Sequence, residues 1–364
     1  MHIVQILPEL NQGGVERGTV ELSRELVKRG YQSTVISAGG SQASQIETDG
    51  GRHITLDVCS KNPLTFFFRV IKLKTHLLKL NPDILHARSR VPAWLCWFAN
   101  KKLKIPFVTT VHGFNSVSRY SAIMTNGDRV IYGSTSIRDY ILKNYTIDES
   151  RLRYVPRGID MDYFNQENAD EPFIETFKRE HGLKGKTIIT IVGRITEWKG
   201  HDTFIRALAE VQKVNPNVIG LVAGGIWHGK EEFFQTLEKL AAELGADIRF
   251  VGSQTQVREI YALSDLVVSA ASSKAETFGR TAAEALAMNT PVIASAHGGS
   301  TDIILDGENG LLFSPGDAGD LAKKIGQALA FAFHNMRDSI QLNFSLDHMV
   351  ETELTVYREL TSRS

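Results

Sequence analysis

Apolar residues in this chain gather in short β-branched runs separated by longer stretches with helical spacing, and the pattern runs through the chain twice. In the first half the runs are "HIVQIL", "STVIS", "HITL", "DILHA", "FVTTVH" and "RVIYG", each predicted as a strand. Helices are predicted between them, for example over 15–29, where Val15, Leu22, Leu26 and Val27 fall on one side. The alternation restarts at "TIITIVGR" and continues through "VIGLVAGG", "DIRFVG", "DLVVSA", "TPVIAS" and "GLLF". Strands alternating with helices predict a parallel sheet covered on both faces, so the expectation is two successive doubly wound α/β domains. The stretch 156–173, "PRGIDMDYFNQENADEPF", is polar, proline-bearing and aperiodic, and reads as the linker between them. The expected boundaries are 1–165 and 166–345, with 346–364 a C-terminal helix packing back on the first domain.

Composition narrows the class. With 364 residues, 42% apolar and 23% charged, the chain is long enough for two cores and fits a globular protein. No apolar run approaches the roughly 20 residues that span a bilayer. Met1 leads directly into the first predicted strand without a basic and apolar leader, so a cytoplasmic location is expected. The two cysteines, Cys59 and Cys96, have no metal-type spacing and define no disulfide framework. The net charge is zero, but residues 1–165 hold 22 Lys+Arg against 14 Asp+Glu, and the remainder 19 against 27. A basic first half suits an anionic acceptor or membrane surface.

Ligands of open α/β sheets gather beyond the carboxyl ends of the strands. After the first strand, "PELNQGGVERG" places Gly13 and Gly14 at a helix start, where backbone N–H groups attract an anion. A plain tight turn is the alternative. The glycine spacing departs from G-x-G-x-x-G and the second strand does not end in an acidic residue, so a nicotinamide cofactor is not expected. After the first strand of the second half, "VGRITEWKGHDTF" offers Arg194 and Lys199, a fork and a point charge suited to a diphosphate. Two solvated loop residues would look the same. In "SSKAETFGRTAAEALAM", Glu276 and Glu284 lie eight apart, about 80° on a helical wheel if both were helical. They would not share a face. With Glu276 in the loop and Glu284 in the second helical turn, both would reach one elongated ligand lying over the helix start. Carboxylates placed by chance near a helix N-terminus remain the alternative. Gly298 and Gly299 again follow a strand.

Taken in order, these pieces resemble the retaining glycosyltransferases of family 4, which have the GT-B fold of two Rossmann-like domains facing across a cleft. The residues that carry the resemblance are Gly13–Gly14, His112 in "TTVHGF", "VPRGIDMDYF", "VGRITEWKG", the pair Glu276 and Glu284 in "AETFGRTAAEAL", and "GGSTDIILDGENGLLF". The resemblance implies that Glu284 holds the nucleotide ribose and Glu276 the donor sugar hydroxyls. Arg194 and Lys199 look like the diphosphate clamp, with Phe278 and Gly279 adding backbone N–H groups. His112 is similar to the histidine beside the donor sugar at the reaction centre. Gly14, with Gly13, would approach the diphosphate, and the base would pack near Val251–Ser253, around Gly252. The implied donor is a UDP- or GDP-linked sugar, UDP favoured, and the implied acceptor a glycan or lipid-linked hydroxyl in lipopolysaccharide or other cell-envelope synthesis. No cofactor, metal or nucleic acid is expected. Rival readings are a nucleotide-sugar epimerase of the same fold and a non-catalytic nucleotide-sugar-binding protein.

Three features stand apart. Family members usually carry Asn where this chain has Arg157, which puts local interdomain contacts in doubt more than the chemistry. Asp160 and Asp162 form a D-x-D, the metal signature of another glycosyltransferase fold, and are read as a decoy within the linker motif. In 62–80 the apolar residues Phe66, Phe67, Val70, Ile71, Leu73, Leu77, Leu78 and Leu80 cover about half a wheel. Arg69, Lys72 and Lys79 fall opposite, while Lys74 intrudes. This predicts either a helix packed on its own sheet or one that docks on the anionic inner leaflet.

Overall fold

A computed structural model describes residues 1–11 and 13–362. The chain forms two compact units, Met1–Gly158 with Leu346–Ser364, and Ile159–Ser345. The junction lies at Gly158/Ile159, seven residues before the expected boundary. The last two residues of the expected C-terminal helix, 363 and 364, lie outside the described residues.

In the first unit the strands are β1 (His2–Ile6), β2 (Gln32–Ser37), β3 (Arg52–Thr55), β4 (Ile84–Ala87), β5 (Phe107–Val111), β6 (Arg129–Tyr132) and β7 (Leu152–Tyr154). They pair in parallel in the order β3-β2-β1-β4-β5-β6-β7, with Val4 opposite Thr34 on one side and Leu85 on the other. The second unit holds β8 (Thr187–Val192), β9 (Val218–Ala223), β10 (Ile248–Gly252), β11 (Leu266–Ser269), β12 (Val292–Ser295) and β13 (Gly310–Phe313). Their order is β10-β9-β8-β11-β12-β13, again parallel. Every strand predicted from a β-branched run is present. The unforeseen one, β7, is three residues long, too short to show a period.

The central strands are buried on both faces, which is why their sequences read as continuous apolar runs. Each fully buried Ile, Leu or Val stabilises the fold by about 1.5–3 kcal/mol relative to exposure. The C-terminal helix Leu346–Thr361 closes the first unit's core, setting Leu346, Met349, Val350, Leu354 and Tyr357 against Ile3, Leu22, Leu26, Ile84 and Val108.

Two sequence expectations change. The stretch 156–173 is not a free linker: Ile159, Met161 and Phe164 are buried in the second unit beside Ala282 and Leu286. Arg337 fastens this stretch by donating to the carbonyls of Met161 (2.8 Å) and Phe164 (2.5 Å). In the helix Phe66–Leu80, Arg69 is buried rather than solvent-facing, because it lies on the stripe of Phe66, Leu73 and Leu77 that meets the core. Its aliphatic stem accompanies Phe66 inward, and its head donates to the Asn62 carbonyl at 3.1 Å.

Each sheet reverses its order once, between β1 and β4 and between β8 and β11. These are the places where loops diverge and leave a crevice at the carboxyl ends of the strands.

Candidate functional site

In the first unit that crevice is a cavity of about 270 Å³, lined by Glu16 after β1, Arg88 and Arg90 after β4, and His112 and Asn115 after β5. Gly14 opens the helix Gly14–Lys28, and Gly13 caps it without a side chain. His112 follows β5 directly. Its Nδ1 lies 2.9 Å from Nη2 of Arg157. A guanidinium only donates, so Nδ1 accepts and the imidazole proton resides on Nε2. That Nε2 is buried and has no hydrogen-bond partner among the described residues. Burial first, and then the charges of Arg157 and Arg88, hold the His112 pKa well below the usual histidine value. The ring is therefore a neutral N–H donor. Room for Arg157 comes from Gly18 on the neighbouring helix, where a Cβ would lie 2.6 Å from its guanidinium.

Beneath the cavity lies a buried polar cluster. Arg88 donates to Gln5 at 3.0 Å and approaches Glu353 of the C-terminal helix at 3.5 Å. His86 bonds Tyr357 at 2.8 Å and Thr110 at 2.7 Å. Burial alone would raise the Glu353 pKa, but Arg88, His86 and Tyr357 outweigh it and hold the carboxyl at about 2. Gln5 and Glu353 thus fix the Arg88 guanidinium against the cavity.

In the second unit, the loops after β8 and β11 bring Lys199 and Glu276 into a direct ion pair, with side chains 20% and 17% exposed. Lys199 ends a short turn, Glu197–Lys199, in the same loop as Arg194. Arg194 is exposed, and its guanidinium lies 4.1 Å from the ring centroid of Trp227, which follows β9. Glu276 belongs to irregular chain, and the helix Arg280–Ala287 starts after Gly279 at φ 97°, a left-handed conformation that favours glycine. Phe278 is buried. Glu284 occupies the second turn and is also buried, accepting from Tyr261 at 3.0 Å and from Arg280 at 3.5 Å. The loop is held in place by Gly298 and Gly299: the Gly299 N–H donates to the Glu276 carbonyl at 2.8 Å, and a side chain at either glycine would collide with the Glu276–Phe278 backbone. Gly252 ends β10, exposed, at φ 67°.

The structure therefore joins Lys199 to Glu276 and places Phe278, Gly279 and Glu284 on the continuing chain. Arg194 turns toward Trp227 instead, and Gly252 stands at the end of β10, two strands from β8. Gly13, Gly14 and His112 belong to the first unit. Sequence reasoning missed the role of Arg157, which bonds His112; its one signal was the departure from Asn. Tyr261 and Trp227 gave no signal, since their partners lie on other loops. In the D-x-D, Asp160 accepts the Tyr163 N–H at 3.1 Å as a local turn, while Asp162 is exposed. Among the described residues no group of three or more His, Cys, Asp or Glu is arranged to hold a metal ion.

Two parallel-sheet units, each with polar groups at its switch point, form a doubly wound α/β architecture whose ligand sites lie beyond the strand ends. Comparison with known proteins narrows it. Residues 12–163 match the model of Glycosyltransferase Family 4, and residues 173–341 that of Glycosyl transferases group 1. A D-inositol 3-phosphate glycosyltransferase of Xylanimonas cellulosilytica is 25% identical, the match covering 96% of this chain and 93% of that protein. The crystal structure of a glycosyltransferase from Rickettsia africae is 31% identical with a TM-score of 0.91, covering 100% of this chain and 99% of that one. Anabaena HepE in complex with UDP-glucose shares the fold at 19% identity and a TM-score of 0.82 over the full length of both chains. The chain belongs to the family 4 glycosyltransferases of the GT-B fold.

Proposed function

We propose that this enzyme transfers a sugar from a nucleotide diphosphate donor to a hydroxyl of a glycan or lipid-linked acceptor with retention of anomeric configuration. The observation that carries the reading is the Lys199–Glu276 pair beside the helix start at Gly279, at the second unit's switch point. A donor diphosphate would compete with Glu276 for the Lys199 ammonium, receive Arg194 from the same loop, and meet the N–H groups beyond Gly279. Glu276, released from Lys199, would bond sugar hydroxyls; Glu284, already oriented by Tyr261 and Arg280, would take the ribose. Gly252 would adjoin the base. In the first unit Gly13 and Gly14 would present backbone to the diphosphate, and His112 would donate its Nε2–H to the sugar.

Catalysis on this reading is positional and electrostatic: fixed cations stabilise the departing diphosphate as an oxocarbenium-like sugar forms. A phosphate oxygen then accepts the acceptor proton on the same face. Arg194 and Lys199 supply the neutralising charge, so the reading assigns no metal. The UDP preference is supported by the HepE complex with UDP-glucose. The acceptor is assigned to the cavity holding Arg88 and Arg90, which suits an anionic molecule, and lipopolysaccharide or another envelope polysaccharide at the inner membrane face is the proposed setting. Thermal shift against a panel of UDP- and GDP-sugars tests the donor. One nucleotide sugar should raise Tm and be turned over faster with acceptor; release of an altered sugar without acceptor would contradict transfer.

A further inference from the structure

The helix Phe66–Leu80 carries two apolar faces, and only one is used. Leu73 and Leu77 are buried, with Phe66, Val70 and Leu80 packed beside them. On the outer side Leu64, Phe67, Phe68, Ile71 and Leu78 are each 60% exposed or more. Phe67, Ile71 and Leu78 follow helical spacing, so they form one stripe rather than scattered residues.

This stripe borders an aromatic cluster that spans to the helix Arg90–Asn100. Phe66 and Phe67 meet edge to face at 5.6 Å, Phe66 meets Phe98 at 5.4 Å, Trp94 stacks on Phe98 at 6.1 Å and on Tyr120 at 6.4 Å. Among these rings opens a mostly apolar cavity of about 370 Å³, lined by Pro63, Phe66, Phe67, Val91, Trp94 and Tyr120. Arg69 also lines it; its Nε and Nη1 have no hydrogen-bond partner among the described residues, and Nε makes only a long ion pair with Asp57 at 3.9 Å.

The charge around this face is one-sided. Residues 60–104 contain ten Lys+Arg and a single acidic residue, Asp83. Lys72 lies 4.5 Å over the exposed Phe68 and Lys101 4.6 Å over the half-buried Phe98, so ammonium groups interleave with the rings. Apolar and aromatic residues rimmed by cations match the boundary between acyl chains and anionic headgroups.

We infer that this face docks on an anionic phospholipid surface, with Phe67, Ile71 and Leu78 entering the acyl region and the aromatic cavity receiving one lipid chain. The inference deepens the lipid-linked reading of the acceptor and rests on it only for which lipid is turned over; docking is measured apart from catalysis. A second copy of this chain is the competing occupant, and the ten-to-one charge ratio disfavours it because two such faces would repel.

The test is flotation of the full chain with vesicles of phosphatidylcholine alone or with phosphatidylglycerol added. The chain should float with the anionic vesicles and stay behind with the zwitterionic ones. The Phe67→Ser/Ile71→Ser variant should lower partition about tenfold or more, and Lys72→Glu/Lys101→Glu should lower it and weaken its salt dependence. Brominated acyl chains should quench tryptophan emission, and the Trp94→Phe/Trp97→Phe variant should abolish that quenching. Nucleotide release from the donor, followed in parallel, reports on the second unit and should be unchanged in the stripe variants. Wild-type flotation equal on both vesicle types, equal flotation of wild type and the Phe67/Ile71 variant, or concentration-dependent dimerisation lost in that variant would each overturn the inference.

Discussion

His112 and Arg157 show how one neighbour sets the chemistry of another. Because Arg157 donates to Nδ1, the imidazole proton is held on Nε2, and burial with the adjacent cation keeps the ring neutral. Replacing Arg157 by Met removes the nearby charge and leaves burial, so the His112 pKa should move upward. Nitrogen NMR should show a His112 ring that stays neutral from pH 5 to 8 in the wild type, and a mixed, more readily protonated ring in Arg157→Met. Turnover should fall by about 10²-fold, in the range of positioned proton donors. An unchanged titration would contradict the assignment. Glu276 and Glu284 should separate kinetically. With Glu276 holding the donor sugar as proposed, Glu276→Ala should lower kcat by roughly 10²–10³-fold. Glu284→Ala should chiefly raise donor KM, because the proposed ribose contact would be the same in ground and transition states. Near-normal constants in both would remove these residues from the site. The difference between the two glutamates was legible in the sequence: a spacing of eight cannot put both on one helical face, and the structure sets one in the loop and one in the second turn. Arg157 was not legible as a partner, since it bonds a residue 45 positions away.

The loops and helices around the second unit's switch point depend on backbone proximity. Gly298 adopts φ 68° and lies against the Glu276 carbonyl, so any side chain there strains its own backbone and displaces the Glu276 loop. Gly298→Val should lower Tm, by about 2–4 °C for each kcal/mol lost in a unit of this size, and weaken nucleotide-sugar binding more than an equally destabilising core substitution such as Leu208→Ala. Equal effects on binding would show that the loop is not held this way. Periodicity revealed these elements well because buried parallel strands and amphipathic helices announce themselves. It failed at three-residue β7, at Ile159, Met161 and Phe164, whose apolar side chains are scattered among polar ones, and at Arg69. A helical wheel assigns every charge to solvent, whereas the stem of Arg69 follows Phe66 inward while its head finds a carbonyl.

For the folded chain as a whole, the buried histidines make stability depend on pH. The pKa values of His86 and His112 are both lowered from 6.5 in the folded state, chiefly by burial. Below about pH 6.5 the unfolded chain therefore binds protons that the folded chain excludes, and stability falls as pH falls, by up to about 1.4 kcal/mol per pH unit for each such group. Glu353, held at about 2, adds a second loss that begins only as pH drops through its unfolded value near 4.5. Melting curves should thus show Tm level above pH 7, declining from pH 6.5 to 5, and steeper below 4.5. Replacing His86 by Gln should flatten the first decline even though the variant starts lower. A Tm independent of pH between 7 and 5 would contradict the buried, neutral state of these rings.

The proposed reaction makes its own decisive demand on the products. With the nucleotide sugar that gives the largest thermal shift and a soluble acceptor, proton NMR during turnover reads both nucleotide diphosphate release and the anomeric configuration of the new linkage. Release matched to acceptor glycosylation, with the donor's configuration kept and both lost together in Glu276→Ala, is the expected result. An inverted linkage, or release that neither needs an acceptor nor responds to Glu276→Ala, would contradict it.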